Sequence, residues 1–262
     1  MTVPSGSELV RYGVAAGVAT ITLDSEHNRN ALSVQLMGEL LAGLRRAVAD
    51  DAVRVVVLSH SGRVFCSGAD LKATQAASGA SDLPVAGLPE ILREVWASPK
   101  PVVARVAGPA RAGGLGLIGA ADIAVTTEDA TFAFTEVRIG VIPAVISATV
   151  LPRLSPRAAA ELYLTGEVFD GRRAAEVGLV TAAVPAGELD AAVGRYVAAL
   201  VRGAPGALAG AKELLRRPVS PSIAADLDEL AKLSVTYFTS DEGREGVAAF
   251  REKRDPSWIP RD

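Results

Sequence analysis

Residues 107–125, AGPARAGGLGLIGAADIAV, decide how the rest of the chain is read. Gly114 to Gly119 spell G-x-G-x-x-G behind a strand-like run, PVVARVAG at 101–108, which is the letter pattern of a dinucleotide-binding turn. The spacing argues against that use. A dinucleotide-binding unit needs a helix of roughly ten or more residues after its glycines, whereas the next strand-like run, DIAVTT, already begins at Asp122. The same glycines suit a short helix whose free N–H groups and positive dipole end meet at one spot, a place for a developing oxyanion. Glycine is expected there because a side chain would obstruct a ligand's close approach.

Working outward, strands and helices alternate. ELVRY and VATITL near the start read as a hairpin, with Gly13 and Gly17 supplying the turn. Ser33 then caps a helix on which Leu36, Leu40, Leu41, Leu44 and Val48 share one face, and Asp50-Asp51 ends it before VRVVVLS. ATFAF and GLVTAAV read as further short strands, so a layered α/β core is expected. Between Lys72 and Pro89 the chain is rich in Ala, Ser and Gly and weakly periodic, the composition of a mobile loop or loose helix beside a site and a candidate lid. After Pro185 the pattern is helical, with runs at 188–202, 205–217, 223–240 and 243–251. Two parts are therefore expected: a core over 1–187 and a small helical subdomain over 188–262.

The composition excludes several classes of function. With 49% apolar and 22% charged residues over 262 positions, the chain is ordinary for a globular protein. A net charge of −3 without a basic run offers nothing to nucleic acid. One cysteine, Cys66, and two histidines, His27 and His60, leave no disulfide and no metal cluster, which fits a reducing cytoplasm. No leader pattern opens the sequence, and no apolar run is long enough for a membrane-spanning helix. A soluble cytoplasmic chain is expected, without metal, membrane or nucleic-acid partner.

FCSGADLK at 65–72, AGPARAGGLGLIGAADIAV and TEVRIGVIP at 135–143 together resemble, in order and spacing, the crotonase (enoyl-CoA hydratase/isomerase) superfamily. The likeness continues through LTGEVFDGRRAAEVGLVTAAVP and into SDEGREGVAAFREKRDPSW, nearly the whole chain. The resemblance implies a spiral of ββα turns with a helical C-terminal trimerisation region, a homotrimer or hexamer, and an acyl-CoA thioester substrate. Coenzyme A enters as part of that substrate, and no separate cofactor is implied.

Carried over by position, the family's oxyanion hole becomes the backbone N–H groups of Ala69 and Gly113, and its catalytic glutamate becomes Glu136. Two amides converging on one carbonyl oxygen are what such chemistry needs, and losing one donor typically costs about 2.7–4 kcal/mol of transition-state stabilisation. A carboxylate beside C2 and C3 of the acyl chain can serve as general base. For the CoA moiety the resemblance implicates Arg29, Arg63, Ser67, Ala69, Leu71 and Lys72, with Phe250 and Lys253 reaching in from a neighbouring subunit.

The departure is Gly116, where full hydratases of the family carry a second glutamate. Three outcomes stay open at this point. Glu136 hydrates alone, as in a subgroup of branched or terpenoid acyl-CoA hydratases that PAVIS at 143–147 resembles. Glu136 instead carries a proton between C4 and C2, as in Δ3,Δ2-enoyl-CoA isomerases. Or another acid, Glu94 or Asp70, takes the second role, although Asp70 reads first as a turn residue. A non-catalytic acyl-CoA-binding homologue is the alternative of another class. Cys66 lacks a histidine partner by any spacing and reads as a core residue. Arg111 stands where the family has an apolar side chain, and the sequence supplies no reason for it.

Overall fold

The structure is a computed structural model and describes residues 8–70, 79, 84–218 and 222–260. Strands β1 (Val10–Ala15) and β2 (Val18–Leu23) form the expected hairpin, but Gly13 lies inside β1, paired with Thr20. The turn is Ala16-Gly17, both at positive φ, 47° and 76°, as a two-residue turn of the I′ kind requires. Helix α1 (Val34–Ala49) starts where Ser33 Oγ accepts the Leu36 N–H at 3.2 Å. Its Leu36, Leu40 and Leu44 are buried, with Leu41 packed at the core's edge.

Strands β3 (Val55–His60), β4 (Val102–Val106), β6 (Ile123–Thr127) and β9 (Ala182–Val184) extend the hairpin into a six-stranded sheet ordered β1-β2-β3-β4-β6-β9. All pairings after the first are parallel. Parallel strands covered on both faces read as continuous apolar runs, and β3 is buried at every position. Its alternation still sorts the faces: Val56 and Leu58 join the main core with α1 and α2 (Leu88–Ala97), while Val55 and Val57 face the other side. That second face, with Val103 and Val125, is covered by Leu189, Ala192 and Val193. Those residues belong to Leu189–Val201, the first of the C-terminal helices, which therefore packs on the sheet although it follows the 187/188 division drawn from sequence.

A second sheet, β5 (Ala110–Arg111), β7 (Thr131–Ala133) and β8 (Phe169–Asp170), carries the short strands around the glycine-rich segment. The glycine-rich segment forms α3 (Gly113–Ala120), every residue of which is buried. Its neighbour is α4 (Ala144–Val150), and α5 (Pro156–Thr165) and α6 (Gly171–Glu176) follow. The C-terminal helices are α7 (Leu189–Val201), α8 (Pro205–Arg216), α9 (Ile223–Thr239) and α10 (Asp241–Glu252). Helix α9 has no buried residue in the isolated chain, and Ile223, Leu227, Val235 and Phe238 on it are exposed. Helix α8 is held to the body by Lys212, whose ammonium meets Asp122 and donates to the Lys100 carbonyl at 2.8 Å. Among the described residues no helix is long and apolar enough to cross a membrane.

Candidate active site

The site is assembled by a buried amide. Arg29 and Asn30 both adopt left-handed backbone, φ 59° and 53°, which turns the Asn30 side chain inward. There its Oδ1 accepts the Ser25 N–H at 2.7 Å, and its Nδ2 donates to the carbonyls of Ser61 and Val64 at 3.2 and 2.8 Å. The 25–32 loop is thereby tied to the 61–70 segment. Two backbone bonds complete the tie: Leu32 N–H to the Gly68 carbonyl at 2.8 Å, and Ser67 N–H to the Arg29 carbonyl at 3.1 Å.

The 65–70 turn then docks on β5. Phe65 N–H donates to the Pro109 carbonyl at 3.0 Å, and Arg111 N–H donates to the Cys66 carbonyl at 3.0 Å. Contact is so close that a Cβ on Gly68 would lie 2.9 Å from the Ala112 Cβ, and one on Gly114 would lie 2.7 Å from the Cys66 Cβ. Ala112 itself sits at φ 45°, ψ −119°, a backbone region that costs a residue with a Cβ on the order of 1–3 kcal/mol. That strained residue immediately precedes the Gly113 N–H at the start of α3. Among the described residues, neither the Ala69 nor the Gly113 N–H has a hydrogen-bond acceptor.

Both residues line one cavity of about 1090 Å³, together with Glu136 from the 3₁₀ segment Thr135–Ile139. Leu32, Met37, Leu88, Val141, Ile142 and Ile146 supply much of its apolar wall. Glu136 is half-buried, and its Oε2 is a buried oxygen without a hydrogen-bond partner. Burial pushes this carboxyl above the ordinary glutamate range, with its own backbone amide opposing the shift. A carboxylate so placed is a better base than an exposed one and is ionised at neutral pH only against a desolvation cost.

Gly116, the position of the departure from the family pattern, faces α4. A Cβ there would lie 2.7 Å from Ile146 Cγ2 and 3.3 Å from Leu92 Cδ1, so apolar side chains fill the place a longer residue would need. Gly119 follows the same logic, its Cβ position being 2.8 Å from the Thr149 carbonyl oxygen. The glycines of the apparent dinucleotide motif therefore serve contacts within the protein. At Gly113 a Cβ would also meet the Leu32 side chain, so packing adds to the ligand-approach reason for glycine there.

Of the other residues singled out from sequence, Arg29, Ser67 and Asp70 line the cavity, as does His27. Arg63 is exposed and outside the lining, and Phe250 and Lys253, at the end of α10, are exposed and away from the cavity of their own chain. Leu71 and Lys72 lie outside the described residues, as does most of the proposed lid. Glu94 is bonded to Arg45 at 3.3 Å, on the outer side of α2. His60, at the end of β3, is buried and accepts the Ala107 N–H through Nε2 at 3.0 Å. Burial pushes the Cys66 thiol up to about 12. Arg111 gains an account that its sequence context lacked: its guanidinium caps the second sheet, donating to the Ala110 and Thr131 carbonyls at 2.8 and 2.5 Å and to Thr131 Oγ1 at 3.2 Å. The apolar wall from Met37 and Leu88 escaped the sequence reading, since both look like helix-face core residues. Among the described residues, no group of three or more His, Cys, Asp and Glu side chains suits a metal ion.

A mostly parallel α/β sheet, a glycine-rich helix start opening on an apolar cavity, and one half-buried carboxylate beside it define the class of protein. The comparisons agree with that class. The family model for enoyl-CoA hydratase/isomerase matches residues 13–261. A chain from Rhodobacter capsulatus, described as a probable enoyl-CoA hydratase, is 35% identical over 261 residues, covering 96% of this chain and 98% of the relative. An enoyl-CoA hydratase from Mycobacterium avium is 47% identical with a TM-score of 0.73, covering 96% of this chain and 99% of that structure. An enoyl-CoA hydratase/isomerase from Marinobacter aquaeolei is 30% identical with a TM-score of 0.88, covering 97% and 100%. The chain belongs to the enoyl-CoA hydratase/isomerase family, and it has the crotonase-type α/β fold that its motifs led us to expect.

Proposed function

We propose that this chain acts on an acyl-CoA thioester and hydrates a 2-enoyl-CoA to a 3-hydroxyacyl-CoA with one carboxylate. The observation that carries the reading is the meeting, in one apolar cavity, of two partnerless backbone amides and a half-buried glutamate. The Ala69 and Gly113 N–H groups take the thioester oxygen. Polarisation of that carbonyl makes C3 electrophilic, and Glu136 removes a proton from water as the water oxygen bonds to C3. Charge gathers on the thioester oxygen as an enolate, where the two amides stabilise it. Protonated Glu136 then returns a proton to C2, so water has been added across the double bond and the carboxylate is regenerated.

Arg29, on the cavity rim, and Ser67 serve the CoA moiety in this reading, together with Arg63, Leu71 and Lys72. Phe250 and Lys253 do so from a neighbouring subunit of a homotrimer or hexamer. The exposed apolar side chains of Leu227, Phe238 and Phe250 support such an assembly. Isomerisation between 3-enoyl and 2-enoyl thioesters is the second reading, favoured by the apolar filling at Gly116, which leaves no room for an acid at that position.

Incubation with 2-enoyl- and 3-enoyl-CoA substrates separately, with products identified by mass spectrometry, tests both. A water adduct supports hydration and a shifted double bond supports isomerisation. Binding of acyl-CoA with neither product across a broad panel identifies a non-catalytic homologue. Glu136→Gln is expected to abolish turnover and to spare acyl-CoA binding; retained turnover refutes the assignment of the base.

A further inference from the structure

Glu136 is carried on a segment fastened to α5. The Phe134 ring lies on the Tyr163 ring, with centroids 4.4 Å apart and planes at 36°, and Arg138 donates to the Thr165 carbonyl at 3.2 Å. Tyr163 is thus held against the ring two residues before the base, and its hydroxyl oxygen lies 3.4 Å from Ser147 Oγ. A hydroxyl has one proton to donate, and Ser147 gives its own to the Pro143 carbonyl at 2.7 Å, an oxygen that can only accept. The proton between the two hydroxyls therefore belongs to Tyr163. At 3.4 Å it is poorly used, because O–H···O bonds ordinarily span about 2.5–3.0 Å. On the segment that Phe134 opens, the buried Glu136 Oε2 has no donor.

We propose that Tyr163 is a positioning residue for Glu136: its hydroxyl, resting on Ser147 Oγ, is the donor that completes the hydrogen bonding of the buried Oε2 when the carboxylate is charged. The inference rests on the reading of Glu136 as the base. It accounts for how a single carboxylate in an apolar cavity is kept ionised and aimed without a second acid. Burial raises the Tyr163 hydroxyl above the ordinary tyrosine range; Ser147 opposes that shift, and the Glu136 charge adds to it.

Few other charges compete at this place. Arg138, on the same segment, is committed to Thr165, and on α5 Glu161 is paired with Arg173 while Arg157 lies near the start of the helix. Helix α4 brings no charged residue. Across the cavity stand His27, Arg29, Asp70 and Arg111.

The test follows Glu136 directly, by carboxyl ¹³C NMR titration of glutamate-labelled protein, with Glu136→Gln identifying the signal. Tyr163→Phe keeps the ring on Phe134 and removes only the donor. Its expected effect is a rise of the Glu136 midpoint by about one pH unit, the size of a moderate charge-assisted hydrogen bond. Ser147→Ala removes the resting acceptor and is expected to lower the midpoint. In kinetics, the acid limb of kcat should move with the midpoint in both variants, with KM little changed. A structural role for Tyr163 would alter stability and leave the midpoint in place. An unchanged or lowered midpoint in Tyr163→Phe overturns the inference. Turnover by Glu136→Gln overturns instead the reading beneath it, so the two failures are told apart.

Discussion

Adding one methyl group at Gly116 tests whether the missing second carboxylate was simply deleted or its place has been rebuilt. In Gly116→Ala the new Cβ lies 2.7 Å from Ile146 Cγ2, 3.2 Å from Ile146 Cβ and 3.3 Å from Leu92 Cδ1. Overpacking of a closed core costs about 1–3 kcal/mol. Replacing a helical glycine by alanine returns about 0.5–1 kcal/mol. The difference is a loss of about 1 kcal/mol, a fall of about 2–4 °C in Tm for a chain of this size. Ile146→Ala alone should cost about 2–5 kcal/mol as a cavity. In the double variant the methyl at 116 enters the vacated space, so the two changes should couple favourably by about 1 kcal/mol. Denaturant unfolding of the four proteins of this cycle supplies the numbers. Additivity, or a Gly116→Ala protein more stable than the parent, refutes the packing account. The same geometry predicts that Gly116→Glu lowers stability further and brings no gain in hydration, because its carboxylate would be driven against Ile146 and Leu92.

Other expectations follow from buried groups. Burial holds His60 below the ordinary histidine range, so the unfolded chain takes up a proton there first. Its contribution is intact above a pH of about 6.5 and is lost as pH falls toward the folded value, where an imidazolium could no longer accept the Ala107 N–H. Urea unfolding at pH 7.5 and 5.5 should show a smaller loss for His60→Gln than for the parent. Cys66, buried and pushed up to about 12, should resist thiol reagents in the folded protein and react at once in denaturant; rapid native labelling contradicts the packing of the 65–70 turn. Lys212→Met leaves the half-buried Asp122 to Arg216 and the Val102 N–H, and should cost about 3 kcal/mol in chemical unfolding. A neutral result removes that ion pair from the forces holding α8 to the body.

The sequence by itself determined what depends on near neighbours. Ser33 and the leucine spacing that follows it define α1, because capping and a 3.6-residue period act within a few residues. Alternating and continuous apolar runs mark the strands, and the short gap from Gly119 to Asp122 rules out a dinucleotide unit without coordinates. Family motifs drew Ala69, Gly113 and Glu136 to attention, and the structure brings all three to one cavity. What tertiary structure alone decided depends on pairs far apart in the chain. That Ile146 occupies the space beside Gly116, that Arg111 turns back onto Thr131, and that Tyr163 rests between Ser147 and the segment of Glu136 are consequences of how α3, α4, α5 and the second sheet meet. No periodicity records such meetings, since each of these side chains satisfies its local pattern equally well with another neighbour. The acid–base character of the site was decided there, because the desolvation of Glu136 is set by its surroundings and not by its place in the motif.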